Sequence, residues 1–308
     1  MYTEAQNFAI VRTELDRVFY QNFEYDASFP GIATANTAEL FKPMNIDRAA
    51  YIEEIYKGSP LFPVVGEIGV VPVATPVVGN KLTTFVKDFA QGIELSKDLF
   101  DDNMHGVWSR TVADLALKAR VTQDSNAFGA FRGAFTTTLT ADGAAWISAT
   151  HTLLNGQTYS NLITGALSPV TLNTAIVGLR QQPDQSGVIL GNVPAYLVVA
   201  SAGFKHATEI TDSALIADSG NNNVNVYRSA YGITIYTSPY LDAVAGGSDT
   251  AWFLLAKNHC VTRIIRQGLQ TFLRDWGYSN NRTYFYQANF RETVYVPDYI
   301  GAVAATGV

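Results

Sequence analysis

Apolar residues recur at three- and four-residue steps through the stretch from Gly92 to Phe131, which predicts one long amphipathic helix. The stripe comprises Val107, Trp108, Val112, Leu115, Ala116, Ala119, Phe128 and Phe131. In front of it, Asp101, Asp102 and Asn103 supply start signals. A helix of roughly 25 residues extends about 40 Å at about 1.5 Å per residue. We therefore expect a strut on which smaller elements are mounted.

A shorter amphipathic helix is predicted at the N-terminus, from Thr3 to Phe23, where apolar residues again form a stripe. Its stripe comprises Phe8, Val11, Leu15, Val18 and Phe19. The next segment, Glu24–Pro43, has no clean period and contains two prolines. It is either an extended arm that lies on another surface or a loose tail, and the pattern leaves both open. Ile46–Tyr56 is predicted as a short helix.

From Leu61 to Phe89 the residue pattern changes, and valines and prolines alternate with turn residues. Gly79 and Asn80 are predicted to form the turn of a hairpin, with strand spacing after them. The prolines of this region are Pro60, Pro63, Pro72 and Pro76. Prolines confine strands to edges or to a projecting loop, and an uncovered valine-rich edge invites pairing with another chain. We expect residues 60–89 to project and to lie on an adjacent subunit.

Helices and strands alternate from Ser148 to Leu255, which predicts an α/β module. Ser168 and Pro169 open a helix whose buried stripe comprises Leu172, Ala175, Ile176 and Leu179. Ser201 is predicted to cap a further helix. Strands are predicted at 188–190, 195–199, 224–227, 233–236 and 252–255. The last segment, Lys257–Val308, is mainly β and is expected to return to the long helix, which makes that domain discontinuous.

The chain has 308 residues, enough for one large or two modest domains, and its charged share is only 16%. A typical share is about 25%, so the low value indicates surface buried in an assembly or a compact monomer with a Thr- and Asn-rich exterior. The net charge is −6, without the basic footprint of a nucleic-acid-binding protein. The single cysteine, Cys260, excludes intrachain disulfides and fits a reducing cytosol. The N-terminus has no signal-peptide pattern, and no apolar run is long enough to span a membrane.

Candidate chemistry is sparse. The histidines His105, His151, His206 and His259 are scattered without a metal-binding spacing. Asp101 and Asp102 are better explained as a helix cap than as a cation site, and Cys260 as a buried structural thiol. Ser201, in VVASAGF, lacks the first glycine of a nucleophile elbow. We therefore predict no catalytic, cofactor-binding or metal-binding residues and no enzymatic activity.

Several weak motifs recur in a characteristic order. They are Ile93-Glu94 with Asp101-Asp102-Asn103 and His105-Gly106; Asp142-Gly143 with His151 and Asn155-Gly156; a helix over Leu167–Arg180 with the turn Asp184–Gly187 and the strand Pro194–Val199; and Ser238–Leu241 followed by Trp252–Leu255. This order resembles the major capsid protein of tailed bacteriophages, with its Hong Kong 97-type fold, and is similar in detail to the Mu-type major head subunits. We expect no N-terminal helical scaffolding segment of the kind that some relatives carry, so that any scaffolding would be a separate protein.

The resemblance implies an α+β capsid fold in four parts. These are an N-terminal arm at 1–50, an extended hairpin loop at 51–92, a peripheral domain with a spine helix at 93–147 and 256–308, and an α/β axial domain at 148–255. It also implies pentamers and hexamers that form an icosahedral phage head in the virion, assembled in the host bacterial cytoplasm. The implied partners are other copies of the chain, portal, separate scaffolding or decoration proteins, and double-stranded DNA held by confinement, with no membrane. An encapsulin-type nanocompartment and a cytosolic α/β hydrolase-like enzyme are the alternatives.

Overall fold

The helices and strands are taken from a computed structural model that describes residues 4–23, 31–67, 69–74, 77–98, 105–213, 225–274 and 283–308. The helices are α1 (Glu4–Phe23), α2 (His105–Arg132), α3 (Pro169–Arg180) and α4 (Phe204–Thr211). The strands are β1 (Lys42–Asn45), β2 (Ala50–Lys57), β3 (Val77–Phe85), β4 (Lys87–Ser96), β5 (His151–Thr152), β6 (Thr158–Tyr159), β7 (Leu162–Ile163), β8 (Pro194–Val199), β9 (Thr234–Thr237), β10 (Trp252–Ala256), β11 (Thr262–Arg274), β12 (Thr283–Tyr295) and β13 (Ala302–Ala305). Short 3₁₀ turns cover Ser201–Gly203, Pro239–Leu241 and Ala243–Ala245, and a π-helical turn covers Tyr227–Tyr231.

The larger strands form two sheets. One has four strands in the order β1-β11-β12-β4, with β1 parallel to β11 and the other neighbours antiparallel. The other has five strands in the order β7-β13-β10-β8-β9, in which β10 runs antiparallel to both neighbours. The short pairs β2-β3 and β5-β6 stand apart from them. The mixture of helices with largely antiparallel strands is the predicted α+β class.

Helix α2 is the predicted strut, and its 28 residues give a length of about 42 Å. Its first half packs on the four-stranded sheet, where Trp108 and Leu115 share a core with Tyr286 and with Phe19 of α1. Its last turns carry Phe128 into a second core beneath the five-stranded sheet. Because one helix enters both cores, it fixes the position of one sheet relative to the other. The predicted stripe is buried apart from Val107, which is exposed, and Asp101, Asp102 and Asn103 lie outside the described residues.

Strand β10 is buried along its whole length because side chains cover both of its faces. Phe253 and Leu255 point into the core that contains α2, whereas Trp252 and Leu254 point into the core formed with α3 and α4. This division follows from the two-residue period of a strand. The predicted helix start at Ser168 is confirmed, since its Oγ accepts a hydrogen bond from the Thr171 N–H at 3.2 Å.

The structure corrects several local predictions. Residues 50–56 of the predicted helix Ile46–Tyr56 lie in strand β2, because they pair with β3 rather than bury a helical face. Gly79 and Asn80 lie inside β3 and form no turn. The stretch 225–227, part of a predicted strand, leads into the π-helical turn, and 188–190 make only an isolated bridge between Pro183 and Ile189. Ser201 begins a 3₁₀ turn, and α4 has Gly203 at its cap position.

The C-terminal segment divides between the two sheets, whereas the sequence placed all of it with the long helix. Strands β11 and β12 lie in the four-stranded sheet beside α2. Strand β13 instead pairs with β10 and β7 in the five-stranded sheet. The physical reason is composition: Ala302, Val303 and Ala304 are small and wholly apolar, which suits a strand buried on both faces.

Candidate assembly surfaces

Strands β2 and β3 form a two-stranded ribbon that leaves the body of the subunit. Ala50 pairs with Phe85 at its base, and Lys57 pairs with Val77 at its far end. Burial alternates along β2, so one face of the ribbon is partly covered while the other carries Ile52 and Tyr56, both more than half exposed. A two-stranded ribbon has no core of its own, and this one presents its outer face to solvent.

The base of the ribbon is tied to the four-stranded sheet. The ring of Tyr51 packs edge-on against Tyr295 of β12, with centroids 5.2 Å apart. The Tyr295 hydroxyl donates a hydrogen bond to Glu53. Further out, Gly79 lies so close to Leu154 that a Cβ on the glycine would overlap the leucine methyl groups. These contacts set the direction in which the ribbon leaves the subunit.

The loop beyond the ribbon, residues 58–76, is the most exposed apolar stretch of the described chain. Its strongly exposed side chains are Leu61, Phe62, Val64, Val70, Val71 and Val73. The Gly69 N–H donates to the Gly66 carbonyl at 2.9 Å and closes a turn. Glu67 lies in that turn with its side chain exposed. An apolar patch of this extent on a soluble protein marks an interaction site.

A cleft of about 400 Å³ lies at the base of the ribbon, between β3, the C-terminal end of α2 and the end of β12. Its walls include Leu82, Phe85, Lys87, Asn126, Arg132 and Leu139. Phe85 and Leu139 are exposed, although each is a large apolar side chain. The cleft therefore combines apolar walls with two cationic groups. The cleft could not be predicted from the sequence, because its lining residues come from four separated segments of the chain.

The N-terminal arm, from residue 31 onward, lies on its own subunit. The Ala33 N–H donates to the Thr237 carbonyl at 2.9 Å, so the arm extends the edge of β9. Leu40 and Phe41 are buried in the core beneath the five-stranded sheet. Strand β1 then joins the four-stranded sheet beside β11. Of the two alternatives that the sequence left open, the described part of the arm takes the one in which it lies on a surface, and that surface belongs to the same chain.

A buried ionic cluster fastens this arm to α2 and the four-stranded sheet. Arg263 donates from Nη1 to the Ala35 carbonyl at 2.9 Å and to Asn36 Oδ1 at 2.7 Å, and its other nitrogens bind Glu292. Asp124 of α2 accepts from the Ala35 N–H at 2.7 Å. Burial raises the pKa of Glu292 while Arg263 opposes the shift, and burial likewise raises the pKa of Asp124. The sequence signal for this cluster was a pair of opposite charges, Arg263 and Glu292, placed among apolar neighbours in β11 and β12.

The residues considered for chemistry occupy structural positions. His151 is fully buried, with Nδ1 2.8 Å from Asp142 Oδ2 and its ring stacked on Tyr299. His206 is exposed on α4, and the described backbone of His105 begins α2. Ser201 donates its N–H to Asp242 Oδ1 at 2.7 Å. Burial raises the pKa of the Cys260 thiol to about 12, which leaves it unreactive.

His259 is buried against the arm in its neutral form. Its Nε2 lies 2.8 Å from the Glu39 carbonyl, and its Nδ1 accepts from the Val261 N–H at 3.2 Å. Burial lowers its pKa to about 4, and the ammonium of Lys42 adds to the shift. Within the described ranges, no group of three or more His, Cys, Asp or Glu residues is arranged to hold a metal ion. None of the described helices is long and apolar enough to cross a membrane.

The fold has counterparts among solved capsids. The procapsid protein of bacteriophage JBD30 matches with a TM-score of 0.52 and 13% identity, over 98% of this chain and 75% of the other. Microbacterium phage Oxtober96 matches with a TM-score of 0.53 and 11% identity, over 92% and 94%. A virus-like particle from Pyrococcus furiosus matches with a TM-score of 0.53 and 8% identity, over 95% and 98%. No curated protein sequence matches the chain.

These likenesses confirm the predicted Hong Kong 97-type fold. The narrower similarity to Mu-type head subunits stays a prediction. At the level of sequence, residues 79–305 match the family model described as phage capsid protein, which extends from β3 to the last strand. That match confirms the predicted role of a capsid structural subunit. The chain belongs to the phage capsid protein family.

Proposed function

We propose that this chain is a major capsid subunit that assembles with copies of itself into the pentamers and hexamers of an icosahedral phage head. The observation that carries the proposal is the ribbon with its loop at 58–76, whose valines, Leu61 and Phe62 are exposed on the single subunit. Exposure of that much apolar surface costs free energy in water, and burial against a neighbouring subunit recovers it. The proposed parts are the arm, the hairpin loop, a peripheral domain around α2 and an axial domain around the five-stranded sheet.

The arm is assigned a role within its own subunit. Since Ala35, Asn36 and Phe41 are fixed inside their own subunit, residues 31–45 reinforce the subunit. The contacts between subunits then fall to the ribbon and its loop. This arrangement explains how a subunit stays folded before it meets its neighbours.

We further propose that the head encloses double-stranded DNA by confinement. The chain carries 21 Lys and Arg against 27 Asp and Glu, for a net charge of −6. Each phosphate that a wall of lysines and arginines neutralised would add salt-sensitive affinity and would hold the genome back during release. A portal and separate scaffolding or decoration proteins complete the proposed partners, assembly takes place in the host cytoplasm, and the subunit itself catalyses no reaction.

The contents of purified particles test this function against its nearest alternative. After treatment with nuclease, a phage head protects double-stranded DNA, and we expect such DNA in particles from infected or induced cells. A nanocompartment contains a co-purifying enzyme instead, and that result would contradict the proposal. An active hydrolase that stays monomeric would contradict both kinds of shell.

A further inference from the structure

The loop at 58–76 has a single charged residue, which lies at its tip. Between Gly58 and Pro76 the only ionisable residue is Glu67. The turn closed by Gly66 and Gly69 presents it at the apex, and valines flank it on both sides. Within the described residues, its carboxylate forms no ion pair. A lone charge at the tip of an apolar loop disfavours docking on a purely apolar surface, because a carboxylate buried without a partner loses its hydration and gains nothing in return. It therefore requires a cationic partner wherever the loop docks.

The cleft at the base of the ribbon offers such partners. Arg132 donates to two backbone carbonyls, of Tyr240 at 3.0 Å and Ser125 at 2.9 Å, so its positive charge is held in place by neutral groups. Lys87 reaches only Asn126 Oδ1 at 3.3 Å. In the described part of the chain neither cation forms an ion pair. The Asn126 side chain also forms a hydrogen bond with Glu292, which acts to lower the pKa of that carboxyl against the effect of burial.

The other charged groups near the cleft are already engaged. Glu53, opposite Leu82 in the ribbon, accepts the hydrogen bond of Tyr295. Glu292, which pairs with Lys87 in the strand register, binds Arg263 through Oε2. The cleft thus keeps a positive character, with the apolar side chains of Phe85 and Leu139 at its walls. It is suited to a carboxylate carried on an apolar segment.

The loop of the same subunit does not reach this cleft. Strand β3 begins at Val77, far from the cleft, and ends at the cleft with Leu82 and Phe85. The five residue steps between Val77 and Leu82 alone cover about 17 Å at about 3.3 Å each. The strand pairs with β2 along this length, and the tip of the loop lies beyond Val77. The exposed valines of the loop show that it does not fold back onto its own subunit.

We propose that the loop tip around Glu67 of one subunit inserts into the cleft of a second copy, where its carboxylate binds Lys87 and Arg132. The flanking valines then cover Phe85 and Leu139. The inference rests on the proposed shell function and assigns it a specific contact. Every subunit has both the cleft and the loop, so each copy inserts its loop into one neighbour and receives the loop of another. Head-to-tail contacts of this kind form a ring when the rotation between subunits closes.

Charge reversal tests the contact directly. Glu67→Lys and Lys87→Glu, made singly, are expected to raise the protein concentration needed for particle formation by roughly tenfold or more, equivalent to about 1.4 kcal/mol per contact. The double variant is expected to restore assembly toward that of the unmodified chain. Lys205→Glu is the matched control, because Lys205 is an exposed lysine on α4, and it is expected to assemble normally. Single variants that assemble like the control would overturn the inference.

A second measurement tests the same contact if a charge-reversed variant fails to fold. The substitutions Glu67→Cys and Leu139→Cys are combined in one chain that also carries Cys260→Ser, and the assembled particles are then oxidised. We expect disulfide-linked oligomers in denaturing electrophoresis, with none from either single cysteine. Intact particles without cross-linked oligomers would overturn the inference and leave the shell function standing. An unmodified chain that forms no particles would overturn both.

Discussion

Arg263 donates from Nε and from a terminal nitrogen to the same oxygen of Glu292, so the two residues form a buried ion pair between β11 and β12. Their side chains are only 6% and 2% exposed. The guanidinium also bonds Ala35 and Asn36 of the arm. One side chain therefore connects the N-terminal arm to the four-stranded sheet.

We predict that Arg263→Met lowers the free energy of unfolding by about 3–5 kcal/mol, because it leaves Glu292 buried without its partner. Urea denaturation of the unassembled subunit measures the change. Arg291→Met is the control, since its partner Asp88 is 62% exposed and surface pairs contribute about 0–1 kcal/mol. Equal losses from the two substitutions would show that the buried cluster has no special role.

Two leucines of α2 test which face of this helix is buried. Leu115 is 3% exposed and packs with Trp108 and Tyr286, whereas Leu117 is 38% exposed. Leu115→Ala is expected to cost about 2–5 kcal/mol, since it removes packed side-chain volume and leaves a cavity. Leu117→Ala is expected to cost far less. Thermal or urea unfolding of the two variants compares them, and a reversed order would refute the assigned face.

His259 is predicted to make stability depend on pH. Its pKa is about 4 in the folded chain against 6.5 for the free group. The unfolded state therefore binds more protons between these values, so the stabilisation is complete above pH 6.5 and is lost as the pH falls toward 4. The imidazole faces the Lys42 ammonium, the Glu39 carbonyl, the Val261 N–H and the ring of Tyr196.

Unfolding midpoints in urea, measured across that range, check this dependence. His259→Gln is expected to flatten the profile, whatever its effect on absolute stability. His206→Gln is the control, because His206 is exposed, and its profile is expected to follow that of the unmodified chain. A His259→Gln profile as steep as that of the control would contradict the assignment.

The hydrophobic pattern of the sequence predicted those helices and strands whose own residues show which side chains are buried. The stripes of α2 and α3 were predicted because their own periodicity records which face is buried. Strands β8 and β10 were predicted because their apolar runs are unbroken, which is typical of strands buried on both faces. The error at residues 50–56 has a tertiary cause, because β2 is a strand only through its pairing with β3, twenty residues further on. Gly79 was taken for a turn glycine, but the structure requires a missing Cβ there to admit Leu154.

The assembly surfaces were predicted in part. Prolines and valines indicated that residues 60–89 project from the body. The exposed loop agrees with that expectation, whereas residues 87–89 belong to β4 of the four-stranded sheet and lie in the body. The cleft was not predictable, because Lys87, Asn126 and Leu139 come from three separate segments that meet only in the fold. The position of the arm on its own subunit likewise depends on the distant partners Thr237 and Arg263.

The acidic balance predicts negligible binding of the free subunit to duplex DNA at physiological salt. With 27 Asp and Glu against 21 Lys and Arg, few phosphates are neutralised, and counterion release contributes little. A mobility-shift titration at several salt concentrations measures it. Micromolar affinity that falls steeply with added salt would contradict retention of the genome by confinement.

The central claim is that this chain builds a closed shell from copies of itself. Electron microscopy of the purified protein, without added partners, tests it most directly. We predict closed, roughly isometric particles whose averaged images show pentamers and hexamers of one subunit, with the ribbon of each subunit lying on the next. A stable population of monomers at every concentration, with no particles or capsomers in the images, would contradict the account.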